Sequence, residues 1–147
     1  MNDIHFMQEA LAEAEKALEK GEVPIGAVVV QNNRIIGRGF NANIMLNDPT
    51  AHAEIMSLRE ASKKINNFRL SGCDLYVTLE PCFMCAGALI QARIRCLIFG
   101  ANDPKGGGIY SVFRFPFDKA NHQPEIRSGI LSRECGTILK NFFQKKR

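Results

Sequence analysis

The sequence predicts an α/β fold in which helices cover both faces of a sheet that contains parallel strand pairs. Three features predict it: a first segment with apolar residues at helical spacing, two β-branched segments separated by three polar residues, and a later stretch in which strand-like and helix-like segments alternate. A chain of 147 residues has the usual length of one domain. We therefore expect a single domain over residues 1–147.

The first predicted element is an amphipathic helix over residues 3–20, with Asp3 as its N-cap and Gly21 as its stop signal. The segment VPIGAVVV (23–30) is rich in β-branched residues, which favours a buried strand, and RIIGRGFN (34–41) predicts a second strand. Because only three polar residues separate the two strands, we expect them to form a hairpin.

The alternating elements come next. Residues 48–65 space their apolar side chains like a helix, and Thr50 is a candidate cap for it. DLYVTL (74–79) and RCLIFGA (95–101) predict strands on either side of a helix over residues 82–93. This order implies parallel strand pairs.

The C-terminal part is less regular. Residues 102–124 are rich in Gly, Pro and Phe, and they predict a long loop that is a candidate functional segment. EIRSGI (125–130) is a candidate fifth strand, and a last helix is predicted over residues 132–145.

Composition excludes several classes of protein. No apolar run reaches the roughly 18 residues that span a bilayer, so we expect no membrane association. The N-terminus is acidic where a signal peptide is basic, and the odd count of five cysteines argues against a disulfide framework, so a cytoplasmic protein is expected. The net charge of +4 permits an anionic partner, although the helix dipole explains the terminal Lys145, Lys146 and Arg147 at least as well.

Two separate stretches carry the candidate chemistry. In TLEPCFMCAGAL, Pro81 suits the first turn of a helix, and the i, i+3 spacing puts Cys82 and Cys85 on one side of that turn. In TAHAEIMSL, His52 completes a set of three ligands of the kind that zinc takes, and three protein ligands leave one position for water. If a helix begins near His52, Glu54 need not be a ligand and can transfer a proton beside the open position.

Each of these residues also has a structural explanation. A CxxC that opens a helix after a strand describes thioredoxin-like redox sites too, and a single histidine or glutamate near a helix start is usually structural. These explanations account for the residues singly and not for the set. Cys73, Cys96 and Cys135 are expected to be small buried apolar residues; one of them, or His122, acting as a fourth ligand would make a zinc site structural.

His-Ala-Glu followed by Pro-Cys-x-x-Cys resembles the signature of the zinc nucleobase deaminases. The chain also resembles the bacterial tRNA-specific adenosine deaminases through GEVPIGAVVV (21–30), NDPTAHAEIMSLR (47–59), LYVTLEPCFMCAGALIQARI (75–94), FGANDPKGG (99–107) and GILSRECGTILKNFF (129–143). It departs from them over residues 108–124. That departure bears on the contacts of the loop and not on the reaction.

The resemblance implies a cytidine-deaminase-like fold, with a mixed five-stranded sheet between helices in three layers. It implies a homodimer that holds one zinc ion per chain through His52, Cys82 and Cys85. It further implies conversion of the wobble adenosine in a tRNA anticodon loop to inosine, in which zinc-activated water attacks carbon 6 of the adenine and Glu54 moves the proton.

Three further residues are predicted to contact the RNA. Asn41 matches a family position that contacts the base, although a turn residue that ends a strand explains it about as well. Lys105 offers a cation for phosphate and Phe143 a ring for stacking. Three other functions stay open on the sequence: deamination of a free base or nucleoside, a non-catalytic RNA-binding module stabilised by zinc, and thiol redox chemistry at Cys82 and Cys85.

Overall fold

The computed structural model describes residues 2–146 of the chain. The regular elements within that range are α1 (Asp3–Glu19), β1 (Gly26–Gln31), β2 (Arg34–Phe40), α2 (Asn43–Leu46), α3 (Ala53–Ile65), β3 (Asp74–Leu79), α4 (Phe83–Ala92), β4 (Cys96–Ala101), a 3-10 turn (Phe117–Lys119), β5 (Glu125–Ser128) and α5 (Ser132–Lys145). Among these residues no helix combines the length and the apolar character needed to cross a membrane.

The strands form one five-stranded sheet in the order β2-β1-β3-β4-β5. β1 pairs antiparallel with both β2 and β3, whereas β3 with β4 and β4 with β5 pair in parallel. The predicted hairpin and the predicted mixed sheet are therefore confirmed.

Two apolar cores lie on opposite faces of this sheet because successive side chains of a strand point to opposite sides. Val28, Tyr76 and Ile98 pack with α1 and α5 on one face. Val29 and Phe99 pack with α3 and α4 on the other. Since both faces are covered, the central strands read as continuous apolar runs, and the predicted three-layer arrangement is confirmed.

Close contact between α3 and β2 fixes the start of α3. A Cβ atom added at Gly39 would lie 2.5 Å from the backbone nitrogen of Ser57 and 2.6 Å from the backbone oxygen of Ala53. Only glycine permits this approach. The helix that follows His52 is thus held directly against the sheet.

The predicted N-cap of α1 was wrong. Asn2 precedes the helix, and its side chain accepts a hydrogen bond from the backbone N–H of His5. Asp3 instead accepts a hydrogen bond of 2.6 Å from the Tyr76 hydroxyl and forms an ion pair of 3.1 Å with Arg127. Its carboxylate is used to join α1 to the sheet.

The starts of α3 and α4 also differ from prediction. Thr50 does not cap α3, because its hydroxyl donates to the Asp48 carboxylate at 2.7 Å and His52 occupies the N-cap position. Pro81 lies outside the first turn of α4, since Cys82 is the N-cap there.

Three smaller differences concern strands and short segments. β1 begins at Gly26 and not at residue 23, and β5 ends at Ser128 and not at residue 130. The four-residue α2 was missed because one helical turn is too short to show a period. The predicted loop 102–124 is confirmed, apart from its single 3-10 turn.

Candidate metal centre and active site

His52 and Cys82 occupy equivalent positions at the N-termini of two helices. Each is an N-cap with extended backbone, at φ −76° and ψ 156° for His52 and φ −74° and ψ 174° for Cys82. Neither side chain makes the usual capping hydrogen bond to its own helix. Both side chains are therefore free to bind a ligand, and the positive ends of two helix dipoles point toward them.

Asn41 takes over the capping of α3. Its Oδ1 atom accepts a hydrogen bond of 2.8 Å from the backbone N–H of Ala53, and the residue is 5% exposed. This structural role leaves the Nδ2 group without a hydrogen-bond partner among residues 2–146. The oxygen of the Asn41 amide thus serves the fold, whereas its nitrogen remains available to a ligand.

The three predicted ligands come together. Nδ1 of His52 lies 3.5 Å from Sγ of Cys82 and 3.5 Å from Sγ of Cys85, and all three atoms lie within 4.8 Å of one another. Two ligands at the usual zinc bond lengths are separated by about 3.5 Å when a nitrogen and a sulfur share a tetrahedral edge. The spacing and the chemistry of this donor set fit zinc.

None of the residues considered as a fourth ligand joins this group within the described chain. Cys73, Cys96 and Cys135 are free and buried, as predicted for small apolar side chains. His122 lies elsewhere, with its Nε2 atom 2.7 Å from the backbone oxygen of Ile94. Three candidate ligands therefore come together among residues 2–146, which is the number typical of catalytic zinc.

Hydrogen bonding within the group shifts the pKa values of the two thiols in opposite directions. The pKa of Cys82 is lowered to about 4, first because the Cys85 thiol donates to it and then because His52 does so, against the effect of burial. The same hydrogen bond, with burial, raises the pKa of Cys85, and the bond to Cys82 raises the pKa of His52. The lowered pKa of Cys82 favours its thiolate, which is the form that binds metal.

Glu54 lies beside these ligands and is not one of them. The side chain is on the first turn of α3 and is 4% exposed. Burial raises its pKa to about 7, against smaller lowering effects from its own backbone amide and from the charge of His52. A carboxyl group with this pKa changes protonation state near neutral pH, as a general acid and base must.

Lys105 and Phe143 meet at a different place. Both line a cavity of about 390 Å³ whose lining contains none of the three ligands or Glu54. Phe143 is 48% exposed whereas Phe142 is 9% exposed, so only the second of these two adjacent rings is buried in the core. Lys146 lies over the Phe142 ring at 5.4 Å, and Arg147 is outside the described residues.

Sequence reasoning missed Glu80. This residue lies between β3 and Cys82 and is 2% exposed, with five hydrogen bonds to its carboxylate from a neighbouring loop. An acidic residue that ends a buried strand without a nearby basic residue in the sequence was the available signal.

The family model of the MafB19-like deaminases matches residues 1–147. The chain belongs to this family of deaminases. Among its relatives, the tRNA-specific adenosine deaminase of Haemophilus influenzae is 53% identical over 99% of this chain and 85% of its own length. That of Bacillus subtilis is 48% identical over 99% of this chain and 91% of its own.

Two solved structures support the same conclusion. A structure from a study of A-to-I editing by tRNA:A34 deaminases is 52% identical, with a TM-score of 0.88, and covers 92% of this chain and 99% of its own. Guanine deaminase from Bacillus subtilis is 38% identical, with a TM-score of 0.66, over 69% of this chain and 66% of its own. The predicted resemblance to bacterial tRNA-specific adenosine deaminases, and the cytidine-deaminase-like fold it implied, are confirmed.

Proposed function

We propose that the protein is a zinc-dependent deaminase that converts the wobble adenosine of a tRNA anticodon loop to inosine. The names of its relatives support the substrate. The observation that carries the chemistry is the group of three ligands, His52, Cys82 and Cys85, with the buried carboxyl of Glu54 beside it.

The residues of the chain divide the reaction between them. His52, Cys82 and Cys85 would hold the zinc ion, which when bound lowers the pKa of water from 15.7 to roughly 7. Glu54 accepts the first proton that the attacking water loses and donates it to a ring nitrogen of adenine. It then takes the second proton from the hydroxyl group on carbon 6 and transfers it to the departing amine. Water is consumed and ammonia is released as the C–N bond at carbon 6 breaks.

Asn41, Lys105 and Phe143 are the proposed contacts to RNA. The free Nδ2 group of Asn41 is a donor that suits an adenine ring nitrogen. The exposed ring of Phe143 can stack on an unpaired base, and the exposed Lys105 at the same cavity can bind phosphate. An anticodon loop presents unstacked bases, so the target base is extruded at lower cost than from a duplex.

The deciding experiment combines elemental analysis of the purified chain with an inosine assay on an anticodon stem-loop. We expect one zinc ion per chain and turnover of the stem-loop that exceeds turnover of free adenosine, guanine and cytosine. Preferential turnover of a free base would replace the substrate with the one suggested by the guanine deaminase neighbour. Binding of the stem-loop without any turnover would indicate a zinc-stabilised RNA-binding module, and reversible Cys82–Cys85 oxidation in a metal-free chain would indicate redox chemistry.

We also propose that the protein is a cytoplasmic homodimer. Exposed apolar side chains on α2 and at the start of α4, Ile44, Met45, Phe83 and Met84, support association. Sedimentation equilibrium should give twice the chain mass of 16.4 kDa. A single-chain mass at micromolar concentration would contradict the dimer.

A further inference from the structure

Glu80 occupies a fixed position between the sheet and the metal ligands. Its backbone N–H donates to the backbone oxygen of Ala101 at 2.8 Å, which extends the pairing of β3 with β4 by one residue. Cys82 follows two residues later at the start of α4. The backbone of Glu80 therefore cannot move without moving a metal ligand.

The carboxylate of Glu80 is surrounded by donors from the loop over residues 103–111. Oε1 accepts from the backbone N–H of Asp103 at 3.0 Å and from the Ser111 hydroxyl at 2.5 Å. Oε2 accepts from three consecutive backbone N–H groups, those of Ile109, Tyr110 and Ser111, at 3.1, 2.8 and 3.0 Å. Hydrogen bonds to an ionised carboxylate are roughly twice as strong as neutral ones.

Two glycines allow the loop to approach this closely. A Cβ atom on Gly107 would lie 2.5 Å from the Glu80 carboxyl carbon, and one on Gly108 would lie 2.5 Å from the backbone nitrogen of Phe83. The N–H of Gly108 donates to the backbone oxygen of Pro81 at 2.8 Å. The loop thus lies directly against the chain segment that carries Cys82.

The loop would be costly to order without an anchor. Residues 106–108 are three consecutive glycines, and glycine loses more conformational freedom on ordering than any other residue. Lys105 precedes them and is exposed at the cavity that it shares with Phe143. The bonds at Asp103 and at residues 109–111 hold both sides of this flexible stretch.

We propose that Glu80 is a positioning residue for substrate binding: its carboxylate fixes the 103–111 loop, so that Lys105 keeps a constant place relative to Cys82. This inference rests on the proposed function, because it assigns the loop to the RNA substrate. Glu80 acts through the loop and takes no part in proton transfer.

The test uses Ser111→Ala, which removes one of the five donors, with Ser111→Thr as the conservative variant that restores a hydroxyl. Glu80→Gln removes the charge itself. Glu13→Gln is the matched control, since Glu13 is also 2% exposed but is paired with Lys16 and Arg38. The measurements are kcat and KM on an anticodon stem-loop, zinc per chain, and hydrogen exchange of the amides of residues 109–111.

We expect Ser111→Ala to raise KM by about tenfold with kcat and zinc content unchanged, and to accelerate exchange at 109–111. Ser111→Thr should restore KM, Glu80→Gln should exceed the effect of Ser111→Ala, and Glu13→Gln should leave KM as in the wild type. Faster exchange with a wild-type KM would overturn the inference, as would a fall in kcat with loss of zinc. If Glu80→Gln does not fold, the Ser111 pair decides.

Failure of the proposed function is a separate result. A wild-type protein that does not deaminate the stem-loop would refute the substrate, whereas the exchange rates would still report whether Glu80 anchors the loop.

Discussion

Glu54 and Glu80 are the same residue type and have nearly the same exposed fraction, 4% and 2%. Their pKa values are nevertheless shifted in opposite directions. Burial raises the pKa of Glu54 to about 7. Burial also opposes ionisation of Glu80, but the hydrogen bonds from the Ser111 side chain and from loop amides outweigh it and lower the pKa.

The donors around each carboxyl group, together with its burial, therefore decide what it can do. Loop amides converge on Glu80 and hold it as a fixed anion. Among the described residues, Glu54 receives no backbone amide from a loop, so its proton remains exchangeable near neutral pH. One carboxyl is suited to chemistry and the other to structure.

The largest expected effect comes from removing the exchangeable proton. Glu54→Gln should lower kcat on an anticodon stem-loop by about 10³-fold, since general acid–base catalysis contributes about 10² to 10⁴. Zinc content should stay at the wild-type level because Glu54 is not a ligand, and Glu54→Ala should behave in the same way. Inosine formation and elemental analysis measure the two quantities. Substantial activity in either variant would show that Glu54 does not transfer the proton, and the functional difference between Glu54 and Glu80 would be lost.

The next largest effect is expected on stability, from adding a side-chain atom beside the Glu80 carboxylate. Gly107→Ala places a Cβ atom 2.5 Å from the Glu80 carboxyl, which should lower the free energy of unfolding by about 2 kcal/mol. Gly106→Ala is the control in the same loop, because its Cβ atom would meet only the Asp103 carboxylate, at 3.3 Å. Chemical denaturation measures both. Equal stability of the two variants would show that the loop does not depend on close contact with Glu80.

Phe143→Ala tests whether the cavity lined by Lys105 and Phe143 contributes to RNA binding. The exposed ring shares a cavity with Lys105, and a stacked base contributes about 1 to 3 kcal/mol. We expect KM for the stem-loop to rise about tenfold with kcat and zinc unchanged, a pattern like that of the Ser111 variant and unlike that of Glu54. Steady-state kinetics measure it, and wild-type KM would exclude Phe143 from the RNA surface.

The contrast between the glutamates also marks the limit of sequence reasoning. That His52, Cys82 and Cys85 come together was predictable because the CxxC spacing and the histidine suit a metal site, and the strands and helices were predictable because burial imposes a period. The anchoring role of Glu80 was not, since its partners lie in a loop about 23 to 31 residues further along the chain, and four of the five are backbone groups that any sequence supplies. Asn41 shows the same limit: its amide is visible in the sequence, but only the fold shows that its Oδ1 atom accepts a hydrogen bond from the backbone N–H of Ala53.

The smallest expected effect concerns Asp3, a partly exposed carboxyl held by side chains. Burial opposes its ionisation, but the hydrogen bond from Tyr76 and the pairing with Arg127 lower its pKa in the folded protein. Its stabilising contribution is therefore present above the unfolded-state pKa near 3.9 and is lost as pH falls through the lower folded-state pKa. Asp3→Asn should cost less than about 1 kcal/mol near neutral pH, and its difference from the wild type should shrink below about pH 4. Denaturation across this pH range, with Asp118→Asn on the exposed 3-10 turn as the control for loss of one charge, measures it. A difference that stays constant down to pH 2 would mean that packing, and not ionised donors and acceptors, carries the contribution of Asp3.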